Sequence, residues 1–255
     1  MKSSVKLSNN NQTDWPYPFW IAHRGAGKLA PENTLAAFRQ GASFGYRMFE
    51  CDAKLSADGV LILLHDADLE RTTNGSGLAG DKPWEKLSQL DAGSWYSRLW
   101  AGETIPTLEN VLQWCIANHH MINIEIKPTP GQEAATGKAV AKLVKKIWPH
   151  NLPAPLLSSF KVEALAAAHD FAADLPLALL LKEMHDDSLK TASKLGCKAI
   201  ILDYTQWSKK LVKTVHEKNM RALSYTVNDE DSAQELIALD TDGIITDRVD
   251  FFIPS

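Results

Sequence analysis

The amino-acid sequence predicts an α/β fold, a (β/α)8 TIM barrel with a small insertion after strand two. Short β-rich runs alternate with longer helical patterns, and the runs are apolar throughout, which is typical of parallel strands covered by helices. Eight such units in 255 residues fit the usual size of one barrel. An open, doubly wound sheet is the alternative that the same pattern allows.

The predicted strands are the apolar runs bounded by turn and helix signals. In chain order they span 19–22, 48–54, 60–65, 121–127, 155–159, 176–181, 199–203, 221–227 and 243–247. The pair Asp58-Gly59 predicts a tight hairpin turn between the second and third runs, so the third run is an extra strand within the second unit. Helices are predicted at 34–44, within 135–148, and at 161–170, 188–196, 208–219 and 231–240.

One segment, at about 66–105, interrupts this alternation. It is rich in Gly, Trp and charged residues, too long for an ordinary loop between strand and helix, and too aromatic for a disordered linker. We expect it to form a small insertion folded over one end of the barrel. Residues 15–255 are predicted to form a single barrel domain, preceded by a flexible N-terminal segment, 1–14.

Composition and charge exclude several classes of function. The formal net charge of −4 gives no general attraction for nucleic acid or anionic membranes, so any anion site must be local. No apolar run approaches the roughly 18 residues of a membrane span, and the N-terminus lacks the apolar centre of a signal peptide. Cys51, Cys115 and Cys197 have no CxxC spacing and indicate free buried thiols in a reducing compartment. We therefore expect a cytoplasmic protein.

Polar side chains gather where the predicted strands end, and in such barrels active sites lie at those ends. Two carboxylates of the second strand are two positions apart, as are an acidic and a basic residue at 121–127, so each pair shares a face. The residues concerned are His23, Arg24, Glu50, Asp52, His65, Glu125 and Lys127. We expect all of them at one rim of the barrel.

The carboxylates of Glu50 and Asp52 interrupt an apolar strand, so both are expected to be buried. Buried unpaired charges cost roughly several kcal/mol each, and a cation must therefore compensate them. Glu125 and Lys127 could form an internal ion pair, but that pair would leave Glu50 and Asp52 without partners. The oxygen-only set of Glu50, Asp52 and Glu125 is typical of one hard divalent cation, Mg²⁺ or Ca²⁺, with Mn²⁺ as a further option.

Together with such an ion, Arg24 and Lys127 would make a concentrated positive site whose natural ligand is a phosphate group. His23 and His65, on separate strands, could face each other across that phosphate as proton acceptor and donor. Gly25 would allow close approach of the backbone. The sequence HRG at 23–25 thus indicates acid–base chemistry beside a phosphate clamp.

Eight short motifs, taken in order, resemble those of the glycerophosphodiester phosphodiesterases. They are AHRG (22–25), PENT (31–34), ECD (50–52), LLHD (63–66), EIKP (125–128), SSF (158–160), YTVN (225–228) and DGIITD (242–247). One tetrapeptide alone is a weak signal, whereas eight in order at suitable spacing are highly specific. The likeness extends over nearly the whole chain from residue 15, and WPYP, KLAPENTLAA and DAGSWYS look like the cytoplasmic bacterial branch.

The resemblance implies hydrolysis of deacylated phospholipids, such as glycerophosphocholine or glycerophosphoethanolamine, to sn-glycerol 3-phosphate and a free alcohol. The substrate would then be a small molecule. The resemblance also implies a catalytic pair, His23 and His65, a metal site of Glu50, Asp52 and Glu125, and phosphate contacts from Arg24 and Lys127. Tyr225 stands where many relatives have tryptophan, a conservative change that affects headgroup or glycerol packing at most.

The sequence leaves the chemical route open. The nucleophile is either water or the glycerol 2-hydroxyl, which would form a cyclic phosphate that water then opens. We take His23 as the base and His65 as the proton donor, an order that the residues alone do not fix. The preferred metal, the headgroup and the oligomeric state are not determined by the sequence.

Two rival functions remain at this point. One is a lipid-directed enzyme, such as a lysophospholipase D or a sphingomyelinase-type relative, which would require an exposed apolar entrance for acyl chains. The other is a non-catalytic phosphate-binding barrel, which would be expected to have lost a histidine or a metal carboxylate. The sequence retains both histidines and all three carboxylates, and the charged insertion gives little support to a lipid entrance.

Overall fold

A computed structural model describes residues 15–254, and nine strands in this range form one sheet. The strands are β1 (Trp20–Ala22), β2 (Met48–Leu55), β3 (Leu61–Leu63), β4 (Met121–Ile126), β5 (Leu156–Ser159), β6 (Leu177–Leu181), β7 (Ala199–Asp203), β8 (Arg221–Tyr225) and β9 (Gly243–Thr246). All neighbours pair in parallel except β3, which pairs antiparallel with β2. Each strand therefore lies within or next to a run that the sequence predicts.

The sheet closes on itself because β1 pairs in parallel with both β2 and β9. The TIM-barrel prediction is confirmed, and the alternative of an open, doubly wound sheet is wrong. The hairpin between β2 and β3 is also confirmed: Gly59 has a φ of +82° and its N–H donates to the Ser56 carbonyl at 3.0 Å. Glycine tolerates this left-handed conformation, so Asp58-Gly59 was a reliable turn signal.

Eight helices accompany the strands in the described range. They are α1 (Leu35–Ser43), α2 (Trp84–Leu87), α3 (Leu108–Ala117), α4 (Glu133–Ile147), α5 (Val162–Phe171), α6 (Ser188–Lys194), α7 (Lys209–Glu217) and α8 (Glu230–Ala238). Side chains cap several of the first turns: Thr34 Oγ1 accepts from the Ala37 N–H at 3.2 Å, and Asp229 Oδ1 accepts from the Ser232 N–H at 2.9 Å.

Two of these helices, α2 and α3, are absent from the sequence prediction. The signal for α3 was present, since Thr107 Oγ1 accepts from the Asn110 N–H at 3.1 Å as an N-cap. No helix follows β9 within residues 247–254. There Phe252 stacks on Trp20 instead, with ring centroids 4.6 Å apart, and thereby covers the outer side of β1.

An apolar layer fills the barrel interior below its carboxyl end. It is built from inward residues of the strands and closed by Tyr17, which is 8% exposed. Its members include Ile21, Met48, Leu156, Leu180, Ile201, Leu223 and Ile245. Inward positions alternate along a strand, so the next inward residue of β2 after Met48 is Glu50. The carboxylates therefore begin where the apolar layer ends.

The predicted insertion after strand two is confirmed. It has a small apolar cluster of its own, made by Ile62, Leu64, Leu69, Ala79, Leu87, Ala92 and Ile105. The hydroxyl of Tyr96 donates to the carbonyl of Lys28 at 2.6 Å, which attaches the insertion to the loop between β1 and α1. That loop lies at the carboxyl end of the barrel.

The extent of the single domain, 15–255, stays a prediction, and the predicted flexible segment 1–14 lies outside the described residues. The three cysteines are free and buried, as expected. Among the helices described, none combines the length and apolar character needed to cross a bilayer.

Candidate active site

Three buried carboxylates meet at the carboxyl end of the barrel. Glu50 and Asp52 point inward from β2, and Glu125 points inward from β4, where it is the register partner of Asp52. The side chains offer oxygen atoms that all lie within 4.8 Å of one another. Glu50, Asp52 and Glu125 are 3%, 1% and 9% exposed, so water screens this cluster poorly. The predicted convergence of these three residues is thus observed.

Burial and mutual repulsion shift the pKa values of this cluster. Burial, and then the charges of Asp52 and Glu125, raise the pKa of Glu50 well above its ordinary value. Burial and the Asp52 charge raise the pKa of Glu125 to about 7. Burial acts in the same direction on Asp52, but Lys127 and Arg24 hold its pKa below its ordinary value. The nearby cations thus compensate Asp52, while Glu50 and Glu125 retain an affinity for further positive charge.

The cluster fits a divalent metal ion. Hard cations prefer oxygen ligands, and two carboxylates whose pKa values are raised by neighbouring negative charge are stabilised when a cation replaces their protons. The carboxylates of Glu50, Asp52 and Glu125 could hold such an ion. The chemistry of the ligand atoms does not identify which hard ion it is.

Lys127 lies beside the acidic cluster. Its Nζ donates to Glu125 Oε1 at 3.1 Å and forms an ion pair with Asp52 Oδ1 at 3.2 Å. The internal Glu125–Lys127 pair considered from the sequence is therefore real. Among residues 15–254 no lysine pairs with Glu50, as expected from the sequence, while Asp52 has two cationic partners, Arg24 and Lys127.

Arg24 follows β1 and reaches the cluster in two ways. Its backbone N–H donates to Glu50 Oε2 at 3.0 Å, and its Nε lies 3.3 Å from Asp52 Oδ2. Its φ of +50° is left-handed, a conformation that a non-glycine residue adopts at some energetic cost and that clusters at functional sites. The Nη1 atom donates to Glu32 Oε1 at 2.9 Å, which anchors the guanidinium from the other side.

Asn33 supports Asp52 with a reciprocal pair of hydrogen bonds. Its Nδ2 donates to Asp52 Oδ2 at 2.8 Å, and the Asp52 backbone N–H donates to its Oδ1 at 3.1 Å. The residue is buried and has a left-handed φ of +59°, which Asn tolerates better than most side chains. The PENT motif thus fixes a carboxylate of the site.

His23 is oriented by a carboxylate at the end of β9. Its Nδ1 lies 2.6 Å from Asp247 Oδ1, and its Nε2 lies 3.8 Å from Glu50 Oε2. Asp247 Oδ2 accepts from Asn228 Nδ2 at 2.9 Å, and the Asp247 N–H donates to Asn228 Oδ1 at 2.9 Å. The Nδ1 atom is therefore occupied, and Nε2 faces the acidic cluster.

His65 has the same arrangement with different partners. Its Nδ1 lies 2.6 Å from Asp66 Oδ1, while Arg71 Nε donates to Asp66 Oδ2 at 2.5 Å. Arg71 also donates through both terminal nitrogens to the Glu32 carboxylate at 2.8 Å each. Burial lowers the pKa of His65 despite the opposing charge of Asp52. The charges of Asp52, Arg24 and Lys127 act on this imidazole, so it belongs to the same electrostatic site.

Lys54 is a further buried cation beside the cluster. It is the next inward residue of β2 after Asp52, and it is 2% exposed. Its Nζ donates to the carbonyl of His65 at 3.1 Å and to the carbonyl of Asp66. Burial lowers the pKa of Lys54 to about 8.

Gly25 allows a close approach of helix α1 to the backbone of the loop that follows β1. A Cβ atom there would lie 2.8 Å from the Phe38 backbone nitrogen in α1, and its φ is +99°. A Cβ on Gly41 of α1 would lie 2.1 Å from the Gly25 carbonyl oxygen. Helix α1 therefore packs directly on the loop that carries His23 and Arg24.

The seven predicted site residues all lie at this carboxyl end. Seven further residues that support them were not predicted as site residues: Glu32, Asn33, Lys54, Asp66, Arg71, Asn228 and Asp247. Five of the seven fall within the quoted motifs PENT, LLHD, YTVN and DGIITD, which was an available signal. Lys54 and Arg71 are outside those motifs.

Comparison with known proteins gives the class. The chain matches the glycerophosphoryl diester phosphodiesterase family over residues 23–251. It is 33% identical over 241 residues to YhdW of Bacillus subtilis strain 168, across 91% of this chain and 96% of that protein. It is also 33% identical over 232 residues to a glycerophosphodiester phosphodiesterase of Caldanaerobacter subterraneus, across 89% of this chain and 93% of that protein.

A solved structure agrees with these sequence matches. It is a phosphodiesterase of Oleispira antarctica in complex with the product sn-glycerol-3-phosphate, 33% identical, with a TM-score of 0.87 and coverage of 90% of this chain and 93% of that chain. The chain therefore belongs to the glycerophosphoryl diester phosphodiesterase family, a class of phosphoric diester hydrolases. Within that class it is a glycerophosphodiester phosphodiesterase, and the resemblance inferred from the eight motifs is confirmed.

Proposed function

We propose that this glycerophosphodiester phosphodiesterase hydrolyses deacylated phospholipids, such as glycerophosphocholine and glycerophosphoethanolamine, to sn-glycerol 3-phosphate and an alcohol. The reaction would use one divalent cation as its cofactor. The observation that carries the proposal is that three buried carboxylates within 4.8 Å of one another lie beside two cations and two carboxylate-oriented histidines. The product in the Oleispira antarctica structure supports the same products here.

The ion in this proposal is Mg²⁺ or Ca²⁺, with Mn²⁺ as a further candidate, held by Glu50, Asp52 and Glu125. When bound, it supplies positive charge that offsets the negative charge developing on the phosphate oxygens. The purely carboxylate ligand set and the raised pKa values of Glu50 and Glu125 support this choice.

Arg24 and Lys127 are the proposed phosphate contacts. Both cations are fixed by carboxylates, Arg24 by Glu32 and Asp52, and Lys127 by Glu125 and Asp52. A fixed cation loses little conformational entropy when it binds an anion, so the clamp is preorganised. A phosphodiester carries one negative charge, and these two side chains would orient its oxygens.

His23 and His65 are the proposed acid–base pair. In each ring the carboxylate at Nδ1 favours a proton on that nitrogen, which leaves Nε2 as the nitrogen that exchanges a proton with substrate. One imidazole would take the proton of the nucleophile, water or the glycerol 2-hydroxyl. The other would protonate the departing alcohol oxygen.

The partners of the two carboxylates favour His23 as base and His65 as proton donor. Asp247 is neutralised only weakly, by the amide of Asn228 and by Lys28 at 4.0 Å, so it stabilises the positive charge that His23 would gain. Asp66 shares its charge with Arg71, and burial lowers the pKa of His65, which favours release of a proton from its imidazolium.

The rival functions have less support. The insertion exposes Leu99, 90% accessible, but the neighbouring Trp95 and Tyr96 are only 39% and 37% exposed and contact each other. This is a small apolar surface for an acyl chain. A non-catalytic barrel would not require two histidines with carboxylates at Nδ1. We further propose a cytoplasmic location, because the three thiols are free and buried.

The test is release of sn-glycerol 3-phosphate from glycerophosphocholine and glycerophosphoethanolamine, measured with a coupled dehydrogenase. We expect turnover that EDTA abolishes and that Mg²⁺ or Ca²⁺ restores. Full activity after exhaustive chelation would contradict the metal proposal. Faster turnover of lysophosphatidylcholine in vesicles than of the soluble diesters would favour the lipid-directed alternative.

Substitution of each histidine tests the acid–base pair. His23→Ala and His65→Ala should each lower kcat at least about 100-fold, the usual scale for a general acid or base. His169→Ala, on helix α5 and outside the site, is the matched control and should retain wild-type kcat. A near-native rate in either site variant would remove that histidine from the mechanism.

A further inference from the structure

Lys54 is a buried ammonium group that the proposed mechanism does not use. Its side chain follows Glu50 and Asp52 along the inward face of β2 and is 2% exposed. Its two hydrogen bonds go to main-chain carbonyls, those of His65 and Asp66. Among the residues that the structure describes, it forms no ion pair with a carboxylate. Burying an ammonium group in this way costs free energy of hydration, which its hydrogen bonds to the two carbonyls must offset.

The two carbonyls belong to the turn that carries one proposed catalytic imidazole. Strand β3 ends at Leu63, and the last ladder bond to β2 is from the Leu64 N–H to the Asp52 carbonyl at 3.0 Å. Beyond it, Lys54 is the side chain that fastens the backbone at 65 and 66 to β2. The same turn supplies Asp66, whose carboxylate contacts His65 Nδ1 at 2.6 Å.

The geometry also joins this turn to the acidic cluster. Lys54 is two positions from Asp52 and four from Glu50, so a single rigid strand carries two proposed metal ligands and the anchor of the His65 turn. A displacement of the imidazole by about 1 Å would be enough to lower a proton-transfer rate about 100-fold. An anchor on β2 therefore controls the distance between the His65 imidazole and the acidic cluster.

We propose that Lys54 is a positioning residue for His65: its ammonium group ties the main chain of His65 and Asp66 to the strand that bears Glu50 and Asp52. This inference rests on the proposed role of His65 as a proton donor. It assigns to a buried lysine the task of holding an imidazole in place through the backbone.

The experiment compares Lys54→Met, which removes the ammonium and keeps most of the aliphatic stem, with Lys54→Arg, which keeps a charged donor. Lys54→Met should lower kcat about 10- to 100-fold with KM changed less than about threefold, and Lys54→Arg should recover most of that loss. Lys142→Met, an exposed lysine on the outer helix α4, is the matched control and should retain wild-type kcat. Divalent-ion binding measured by calorimetry should be unchanged in all three variants.

A double substitution gives the decisive comparison. If Lys54 acts through His65, adding Lys54→Met to His65→Ala should lower kcat less than about twofold further, because the group being positioned is already absent. The ¹⁵N-imidazole spectrum should show the Nδ1–H tautomer of His65 in the wild type and a mixture of tautomers in Lys54→Met. Lys54→Gln replaces Lys54→Met throughout if the methionine variant does not fold.

Several results would overturn the inference. They are wild-type kcat in folded Lys54→Met, full and independent loss of kcat in the double variant, and tighter metal binding in Lys54→Met, since removing a positive charge beside a cation site strengthens cation binding. The last would mean that the charge of Lys54 acts on the acidic cluster instead. The proposed function fails separately, if the wild type releases no sn-glycerol 3-phosphate from the soluble diesters, and the proposed role of His65 fails if His65→Ala itself retains wild-type turnover.

Discussion

The carboxylate of Asp247 decides which nitrogen of His23 faces the acidic cluster. It occupies Nδ1 at 2.6 Å and is itself held by Asn228, so the ring cannot turn without breaking its hydrogen bond to a fixed carboxylate. An imidazole in this position needs both the correct tautomer and the correct orientation. In serine proteases, loss of the equivalent carboxylate favours the wrong tautomer and leaves the geometry intact.

Asp247→Asn therefore should lower kcat by roughly 100-fold or more with little change in KM, because the amide can present its N–H to Nδ1 and favour the wrong tautomer. Asp242→Asn is the matched control, since Asp242 makes the same kind of contact, at 2.7 Å, with His216 away from the site. Steady-state kinetics of both variants checks this. Equal kcat in Asp247→Asn and wild type would show that the contact is not needed for turnover.

Part of this residue-scale picture was available from the sequence. Glu50, Asp52 and Glu125 could be placed because inward alternation is a local property of a strand. Asp247 could have been found by the same reasoning, since barrel closure puts the end of β9 beside the end of β1. The direction of the Arg71 side chain could not, because the insertion has no periodicity to fix it.

At the scale of elements, the insertion is bound to the barrel by an ionic contact. Arg71 of the insertion donates to both oxygens of Glu32, and Glu32 also accepts from Arg24. The contact joins the turn of His65 to the proposed phosphate clamp. Bidentate geometry gives such a pair more energy than an ordinary surface ion pair.

A double-mutant cycle on kcat/KM tests this connection. Arg71→Met and Glu32→Gln should each lower kcat/KM, and their coupling energy should exceed about 0.5 kcal/mol, because both act on the same contact. The control cycle uses Lys145→Met and Asp174→Asn, an exposed pair at 2.8 Å between α4 and the loop that precedes β6, where we expect no coupling in kcat/KM. Additive effects of Arg71 and Glu32 would mean that the insertion and the clamp act independently.

Helix α7 is joined to the chain before β9 by the pair of His216 and Asp242 at 2.7 Å. The hydrogen bond to Asp242 raises the pKa of His216 above its ordinary value, against the effect of burial. A raised pKa in the folded state means that the pair stabilises the protein fully below the unfolded-state pKa of about 6.5, and that this contribution is lost as pH rises through the folded-state pKa.

The difference in free energy of unfolding between wild type and His216→Gln should therefore be largest near pH 6 and should decline as the pH is raised to 9. Other titrating groups are common to both proteins and cancel in the difference. Denaturant unfolding at a series of pH values measures it. A difference that grows with pH would reverse the assigned sign.

At the scale of the whole molecule, the sequence predicts the strands of the barrel more completely than the helices and loops around them. The eight barrel strands follow from apolar runs, and the hairpin follows from Asp58-Gly59. The helix α3 was missed although Thr107 marks its start, because its position next to the insertion disguised the alternation. The close packing of Gly41 on Gly25 is a three-dimensional contact that no local pattern encodes.

The molecule as a whole is acidic, with a net charge of −4, yet its site is proposed to bind a phosphodiester anion. An acidic protein can bind such an anion only if positive charge is concentrated at the site. Phosphate binding at this site therefore needs a divalent ion at the three carboxylates in addition to Arg24 and Lys127.

Calorimetric titration of chelator-dialysed protein with Mg²⁺ or Ca²⁺ tests that dependence most directly. We expect one ion per chain. Binding should strengthen from pH 6 to 8 and release protons, because the pKa of Glu125 is raised to about 7. The affinity should be at least about 10-fold weaker in Glu125→Gln and unchanged in Glu85→Gln, which alters an exposed residue. Absence of binding in the wild type, or equal affinity in Glu125→Gln, would contradict this expectation.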